Sequence, residues 1–210
     1  MILTYKFELI NHIIQLNEYS SYLEIGLGPG VTSFYGDKNR SGATWSGVNC
    51  ERKMCVDVSK FAPDLPYFIG TSDEFFKHNN CVYDLIYIDG DHSAEQVSID
   101  LDNSLSCLSP RGCIVMHDVN PLTEGDTAAT ASGTAYKTFM ITRQHDKLHS
   151  LCYKFTNDDT VGIVLKEPNP NVYVNTDKDY SYNYFAANRD NICNFKTLEE
   201  IDKVFYDKNN

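Results

Sequence analysis

The chain has 210 residues, with 18 basic and 29 acidic side chains and a net charge of −11. This length suffices for one well-buried α/β core, and the acidic surface disfavours a nucleic-acid partner, which would need clustered Lys and Arg. No run of about 18 apolar residues exists, and the N-terminus lacks the apolar stretch of a signal peptide. We therefore expect a cytoplasmic protein without a membrane partner, in the host cytoplasm if it is viral.

The chain opens with a pattern typical of an amphipathic helix followed by a strand. Large apolar residues share one helical face over residues 4–17, namely Phe7, Ile10, Ile13 and Ile14. The apolar run over 21–25 then predicts the first strand of a sheet, on whose edge this helix would pack.

A glycine-rich turn follows this strand, in the pattern E-x-G-x-G-x-G that begins at Glu24. Gly26, Gly28 and Gly30 accept positive φ and carry no Cβ, so the backbone can turn tightly and lie against a bound nucleotide or nucleoside. A dinucleotide site expects G-x-G-x-x-G, but Val31 holds the position of that third glycine. The spacing argues against a dinucleotide, and a strand-to-helix turn without a ligand is the remaining alternative.

The next part of the chain alternates between strands and helices. The polar, glycine-interrupted segment over 35–50 predicts a short helix and a long loop. Apolar runs predict further strands over 53–57, 67–69, 83–88 and 111–116. Thr71 or Ser72 is a candidate helix cap, and Ser93 begins a helix that is expected to run to Pro110. Such alternation predicts a mostly parallel sheet with right-handed crossovers, flanked by helices.

An antiparallel hairpin is predicted at the end of this core. Its two strands span 148–155 and 160–166. A helix is predicted over 134–143, and the loop over 120–133 either folds over a substrate or forms a surface connection.

The last part of the chain changes in composition and is rich in Tyr, Asn and Asp. The segment Thr197-Leu-Glu-Glu200 is a capping box that predicts a final helix. Because the tyrosines before it are costly to leave exposed, this part should pack on the core or on a partner subunit, as in a homodimer. We expect an α/β domain over 1–167 and a C-terminal extension over 168–210.

Polar side chains lie at the predicted strand ends, where parallel sheets bind their ligands. They are Glu24, Asp57, Thr71, Ser72, Asp89 and Asp118. The fourth strand ends in Ile88-Asp-Gly-Asp-His92, and His117-Asp118 follows the fifth. If these two strands are neighbours, Asp89, Asp91, His92, His117 and Asp118 converge on one cavity and can hold a hard divalent ion.

Some of the acidic residues have simpler explanations. Asp91 is equally well explained as a cap of the following helix, beside Ser93. Glu95, Asp100 and Asp102 lie on that helix, and we expect them to be solvated.

Taken together, the E-x-G-x-G-x-G turn, Val56-Asp57, the segment 83–92 and His117-Asp118 resemble one family. It comprises the class I S-adenosylmethionine-dependent methyltransferases whose fourth strand ends in I-D-G-x-H. The resemblance covers roughly residues 20–166 and implies a Rossmann-like sheet with an antiparallel C-terminal hairpin. Close relatives in this family methylate sugars, glycans and secondary metabolites, and the metal site is similar to that of macrocin and catechol O-methyltransferases.

The resemblance implies a role for each matching residue. The residues implied to hold S-adenosyl-L-methionine are Glu24, Gly26, Gly28, Gly30, Asp57, Thr71, Ser72, Asp73 and Asp89. Asp89, His117 and Asp118 fall at the positions that bind Mg²⁺ or another divalent cation, and His92, with Asp89 beside it, falls at the position of the general base. The chain departs from its relatives at His117, where they generally have a carboxylate, a better magnesium ligand.

The function implied is O-methylation of a hydroxyl on a small molecule, a sugar or a glycan. Two alternatives are an NAD(P)-dependent oxidoreductase, for which a Tyr-x-x-x-Lys pair is missing, and a non-catalytic scaffold on the same fold. Base methylation of nucleic acid is a third, but Asn120-Pro121 lacks the aromatic residue that would stack a flipped base.

Overall fold

The structure is a computed structural model that describes residues 2–28, 43–60, 67–157 and 159–209. Within these ranges a seven-stranded sheet has the order β3-β2-β1-β4-β5-β7-β6. The strands are β1 (Ser21–Ile25), β2 (Arg52–Asp57), β3 (Tyr67–Ile69), β4 (Tyr83–Ile88), β5 (Leu108–Met116), β6 (His149–Lys154) and β7 (Thr160–Leu165). Strands β1 to β5 pair in parallel, whereas β7 pairs antiparallel with both β5 and β6. The predicted parallel sheet with a C-terminal antiparallel hairpin is confirmed.

Helices cover both faces of this sheet. They are α1 (Lys6–Asn17), α2 (Ala43–Gly47), α3 (Ser72–His78), α4 (Ala94–Cys107), α5 (Ala135–Thr142), α6 (Tyr182–Cys193) and α7 (Leu198–Asn209). Helices α1 and α7 and the α2 segment share one apolar cluster, and α3 to α6 share the other. Successive side chains of a strand point to opposite faces, so Tyr22 and Leu23 of β1, both fully buried, enter different clusters.

Local signals placed most of these elements correctly. Ser93 caps α4 by accepting a hydrogen bond from the backbone N–H of Gln96. The expectation that this helix continues to Pro110 is wrong, because Leu108 already pairs with Tyr83 in the sheet. The short helix and long loop expected over 35–50 fall partly on residues 29–42, which lie outside the described residues, and the described part of that range contains the short helix α2.

Helix α6 has no counterpart among the predicted elements. Its buried side chains are few, Phe185, Ile192 and Cys193, and polar residues fill most of the intervening positions. Ser181 nevertheless caps it through the backbone N–H of Tyr184. A helix with so small an apolar face leaves almost no periodic signal in the sequence.

Helix α7 begins where the capping box predicted. Thr197 and Glu200 exchange hydrogen bonds between side chain and backbone, at 2.8 and 3.3 Å. Its residues Leu198, Ile201 and Phe205 are buried on the face of the sheet that α1 also covers.

The division of the chain into a domain and a C-terminal extension at residue 167 stays a prediction. In the parts of the chain described above, no helix combines the length and apolarity needed to cross a bilayer.

Candidate active site

A cavity of about 840 Å³ lies at the C-terminal ends of the parallel strands. Its walls come from the segments that follow β1, β2, β3, β4 and β5, from the start of α1, and from the residues around the turn between β6 and β7. Ligand pockets of proteins have volumes of roughly 300–1,000 Å³, so this cavity has room for a cofactor and part of a second molecule.

The glycine turn forms one wall of the cavity. Gly26 has a φ of 84° and Gly28 a φ of 67°, both in the left-handed region that favours glycine. A Cβ on Gly26 would lie 2.1 Å from the carbonyl oxygen of Asp89. The turn therefore needs glycine here both for its backbone angle and for the contact with the end of β4. Gly30 lies outside the described residues.

Asp57, at the end of β2, holds this turn in place. Its Oδ2 accepts hydrogen bonds from the backbone N–H groups of Leu27 at 2.8 Å and Gly28 at 3.2 Å. Its Oδ1 accepts another from Ser59 at 2.9 Å. The side chain also lines the cavity, where the resemblance predicts a contact with the ribose of the cofactor.

Glu24 lies beneath the turn, away from the cavity wall. It is 1 % exposed, and its Oε2 accepts a 2.6 Å hydrogen bond from the hydroxyl of Tyr22. Burial raises the pKa of Glu24 to about 8, although the Tyr22 hydrogen bond opposes this shift. A carboxyl with this pKa is mostly neutral at pH 7. Its predicted contact with the cofactor stays a prediction.

The start of α3 forms the wall beyond β3. Thr71 is the N-cap of the helix, and it exchanges hydrogen bonds with Glu74 at 2.9 and 3.2 Å. Thr71, Ser72 and Asp73 all line the cavity. The structure thus places the three residues predicted near the adenine at one end of the same cavity as the glycine turn.

Two carboxylates and an imidazole converge at the ends of β4 and β5. Ligand atoms of Asp89, His92 and Asp118 lie within 4.8 Å of one another. His92 Nε2 lies 3.3 Å from Asp118 Oδ2 and 3.9 Å from Asp89 Oδ1. Asp118 has a φ of 58°, which is rare for a residue other than glycine and typical of strained functional positions. The predicted convergence of Asp89, His92 and Asp118 around one cavity is therefore present in the structure.

The orientation of His92 is set by the loop before α5. Its Nδ1 lies 2.5 Å from the carbonyl oxygen of Ala131, which can only accept, so Nδ1 carries a proton. Thr134 N–H donates to the backbone carbonyl of His92, and a Cβ on Gly133 would lie 2.4 Å from that same oxygen. In the neutral ring Nε2 is therefore the basic nitrogen, and it faces the carboxylates. Residues 130–132 of the 120–133 loop line the cavity, and the folding of this loop over a substrate stays a prediction.

His117 connects this cluster to a second charged pair. Its Nδ1 lies 2.9 Å from Asp89 Oδ1 and 3.2 Å from Asp118 Oδ2, while its Nε2 lies 3.1 Å from Asp159 Oδ1. Lys6 Nζ lies 3.0 Å from the same Nε2 and 3.4 Å from Asp159 Oδ2. Burial lowers the pKa of His117, but the negative charges of Asp89 and Asp118 outweigh burial and the charge of Lys6, so the pKa lies well above its usual value.

Lys6 and Asp159 were not among the predicted site residues. Lys6 begins α1, and Asp159 lies in the turn between β6 and β7. Both line the cavity. The sequence separates Lys6 from His117 by 111 positions, so no short-range pattern indicates that they meet.

The structure shows different surroundings for Asp91 and Asp100, two acidic residues for which the sequence suggests a structural or a solvated role. Asp91 is exposed and accepts a 2.7 Å hydrogen bond from the backbone N–H of Ser93, which supports a structural role at the start of α4. The expectation that Asp100 is solvated is wrong, because it is 1 % exposed. Position 100 falls on the face of α4 that packs towards α3 and the cavity, which helical spacing alone did not reveal.

The fold and the site together define a class of protein. A parallel sheet that ends in an antiparallel hairpin, with a glycine turn and a carboxylate–imidazole cluster facing one cavity, is the arrangement expected of class I methyltransferases.

Comparison with known proteins agrees with this assignment. The family model described as a methyltransferase domain matches residues 23–119. This segment contains β1 from Leu23 onwards, β2 to β5 and every predicted site residue, from Glu24 to Asp118. A search of curated protein sequences finds no match. The predicted resemblance to class I S-adenosylmethionine-dependent methyltransferases is confirmed.

Solved structures of methyltransferases share the fold at low sequence identity. The O-methyltransferase TomG from Streptomyces achromogenes, solved with SAM, is 12 % identical, with a TM-score of 0.54 and coverage of 77 % of this chain and 79 % of its own. An O-methyltransferase from Bacillus cereus, solved with SAH, is 14 % identical, with a TM-score of 0.52 and coverage of 77 % and 80 %. Cofactor-bound Rv0187 from MTB is 16 % identical, with a TM-score of 0.55 and coverage of 78 % of both chains.

Proposed function

We propose that this protein transfers a methyl group from S-adenosyl-L-methionine to a hydroxyl of a small molecule, such as a sugar or a glycan. One observation carries the proposal: the glycine turn and the Asp89–His92–Asp118 cluster face the same cavity. Two structures with this fold were solved with SAM or SAH, which supports the choice of cofactor. A cytoplasmic location and a homodimer remain predictions from the sequence.

The charge of the cavity wall supports this cofactor over a dinucleotide. Among the described lining residues there are seven aspartates, a single lysine and no arginine. An acidic wall attracts the sulfonium cation of S-adenosylmethionine and repels the pyrophosphate of NAD(P). The NAD(P)-dependent alternative is therefore disfavoured by charge as well as by the spacing of the glycines.

The reaction follows from the orientation of His92. An acceptor hydroxyl oxygen attacks the methyl carbon in line with the carbon–sulfur bond, so an oxygen–carbon bond forms while the carbon–sulfur bond breaks. The sulfonium becomes a neutral thioether, and the hydroxyl proton passes to Nε2 of His92. Ala131 keeps the basic nitrogen turned towards the cavity, and the carboxylate of Asp118, 3.3 Å away, stabilises the imidazolium that forms.

The carboxylate pair also fits a divalent cation. Asp89 and Asp118 supply the hard oxygen ligands that Mg²⁺ prefers, and each carboxylate has an oxygen near both imidazoles. The predicted third ligand, His117, can coordinate a metal only as the neutral ring, and the neighbouring Asp89 and Asp118, which raise the pKa of His117, disfavour that form. His92 Nε2 lies in the same described cluster, but a nitrogen that binds the ion cannot also accept the hydroxyl proton, so the general-base role leaves the ion to the two carboxylates. A bound ion would lower the pKa of the acceptor hydroxyl.

Removal of the metal should therefore slow the reaction. We expect excess EDTA to lower methyl transfer by about 100-fold and Mg²⁺ to restore it, since a Lewis acid contributes several kcal/mol. Calorimetric titration of Mg²⁺ into the wild-type protein and the Asp118→Asn variant gives an independent measurement, in which the variant should bind more weakly. Full activity in excess EDTA, together with no measurable Mg²⁺ binding, would show that the carboxylates act without an ion.

Binding of the demethylated cofactor tests the proposed function itself. We expect S-adenosylhomocysteine to bind with a Kd in the micromolar range and NAD to show no saturable binding in the same calorimetric assay. Gly26→Val should abolish S-adenosylhomocysteine binding, because its side chain would overlap the backbone of Asp89 and Gly90. Gly125→Val is the matched control, because a Cβ at this exposed position would lie 3.6 Å from the hydroxyl oxygen of Thr123, which is an ordinary van der Waals contact.

Turnover distinguishes the enzyme from a scaffold on the same fold. The wild-type protein should methylate at least one member of a panel of catechols, phenols and monosaccharides. Tight S-adenosylhomocysteine binding without turnover on any class of hydroxyl acceptor would favour the scaffold. Saturable NAD binding in place of S-adenosylhomocysteine binding would overturn the proposal.

A further inference from the structure

A buried carboxylate with an unused acceptor oxygen lies in the cavity wall at the α3 end. Asp100, on α4, is 1 % exposed and lines the cavity. Its Oδ1 accepts a 3.1 Å hydrogen bond from Gln96 Nε2. Its Oδ2 is shielded from solvent and has no hydrogen-bond partner among the described residues. Such an oxygen is costly to bury unless a ligand supplies the donor.

The side-chain amide of Gln96, which orients Asp100, has no hydrogen left to donate to Oδ2. Gln96 Nε2 carries two hydrogens, and it already lies 3.3 Å from Ser72 Oγ and 3.2 Å from Asp73 Oδ1. Burial raises the pKa of Asp100, and the hydrogen bond from Gln96 offsets this only in part. This corner of the cavity therefore presents more hydrogen-bond acceptors than donors.

The corner lies at the opposite end of the site from the reacting groups. Ser72 and Asp73 follow β3, whereas Asp89 follows β4, and the sheet order places β2 and β1 between these strands. Three strand spacings correspond to about 14 Å. Asp57, at the end of β2, lies between the two ends, so a ligand with its sulfonium at Asp89 and its ribose at Asp57 would extend its purine towards α3.

We propose that Asp100, oriented by Gln96 beside Ser72 and Asp73, accepts a hydrogen bond from the exocyclic amino group of the cofactor's adenine. This inference rests on the proposed function. A carboxylate can only accept, and the amino group of adenine is the donor that matches it. Hypoxanthine has a carbonyl oxygen at the same position. This oxygen would face the carboxylate oxygen of Asp100, so two hydrogen-bond acceptors would meet in a site that excludes water. Asp100 thereby makes the site selective for an aminopurine.

The test compares two ligands that differ at position 6 of the purine and, as a consequence, at the adjacent N1, which accepts a hydrogen bond in adenine and carries a hydrogen in hypoxanthine. S-adenosylhomocysteine and S-inosylhomocysteine are titrated calorimetrically into the wild-type protein and the Asp100→Asn variant. We expect the wild-type protein to prefer the adenine ligand by about 100-fold, because a site built to bond a polar group rejects the analogue that lacks it. The asparagine amide both donates and accepts, so Asp100→Asn should reduce the preference to roughly fivefold or less, chiefly by improved binding of the inosine ligand.

Asp102→Asn is the matched control, because Asp102 is exposed on the same helix two residues further on and should retain the wild-type preference. A structural role of Asp100 would weaken both ligands equally and would leave the ratio unchanged. Equal binding of both ligands by the wild-type protein overturns the inference without any variant, as does an unchanged ratio in a folded Asp100→Asn protein. A wild-type protein that does not bind S-adenosylhomocysteine overturns the proposed function, and this inference with it.

Discussion

Replacement of His92 by alanine is expected to lower turnover by about 10²- to 10⁴-fold, which is the usual contribution of general base catalysis. The affinity for S-adenosylhomocysteine should stay nearly unchanged, because the glycine turn and Asp57 lie on other strands. Turnover is expected to fall because the variant lacks the basic Nε2 of His92, which the hydrogen bond to Ala131 orients towards the carboxylates. The measurement is kcat with the best acceptor of the panel, alongside a calorimetric Kd for S-adenosylhomocysteine.

His145→Ala is the matched control for this variant. The side chain of His145 is 51 % exposed and does not line the cavity, so its removal should leave kcat at the wild-type value. A His92→Ala protein that turns over at the wild-type rate would exclude His92 as the base. A loss of kcat accompanied by an equal loss of cofactor affinity would instead indicate that His92 supports the cavity wall.

The largest effect on stability is expected from Arg143→Met. Arg143 is 0 % exposed, and its guanidinium donates 2.8 Å hydrogen bonds to the carbonyl oxygens of Ser150, Asn171 and Ile192. Methionine fills much of the volume but leaves three carbonyls without this donor, at a cost of roughly 1–3 kcal/mol each. We expect a loss of about 4 kcal/mol in the free energy of unfolding and a fall in Tm of about 10 °C, measured by urea and thermal denaturation.

Arg111→Met provides the comparison. Arg111 is exposed and makes one 3.3 Å hydrogen bond, to the carbonyl oxygen of Asn17, so its replacement should cost less than about 1 kcal/mol. Because Asn171 and Ile192 belong to the 168–210 segment, the Arg143 result also measures how strongly that segment is anchored to β6. A small effect of Arg143→Met would contradict this anchoring role.

Short-range patterns in the sequence are enough to predict the sheet and the position of the glycine turn. Apolar runs of strand length, capping residues such as Thr71 and Ser93, and the glycine spacing all act over a few residues, so they can be recognised without the fold. The C-terminal ends of parallel strands lie at one edge of a sheet, and this rule alone predicts that Asp89, His92 and Asp118 lie close together.

The distant side chains that complete the site are brought together by the packing of whole elements. Lys6 and Asp159 reach His117 from α1 and from the β6–β7 turn, and no local pattern distinguishes them from other charged surface residues. The expectation that Asp100 is solvated fails because helical periodicity in the sequence does not show which element packs against each face of α4. Local backbone preferences depend on residues close in sequence, whereas contacts and burial depend on how whole elements pack, so the first can be predicted from the chain and the second cannot.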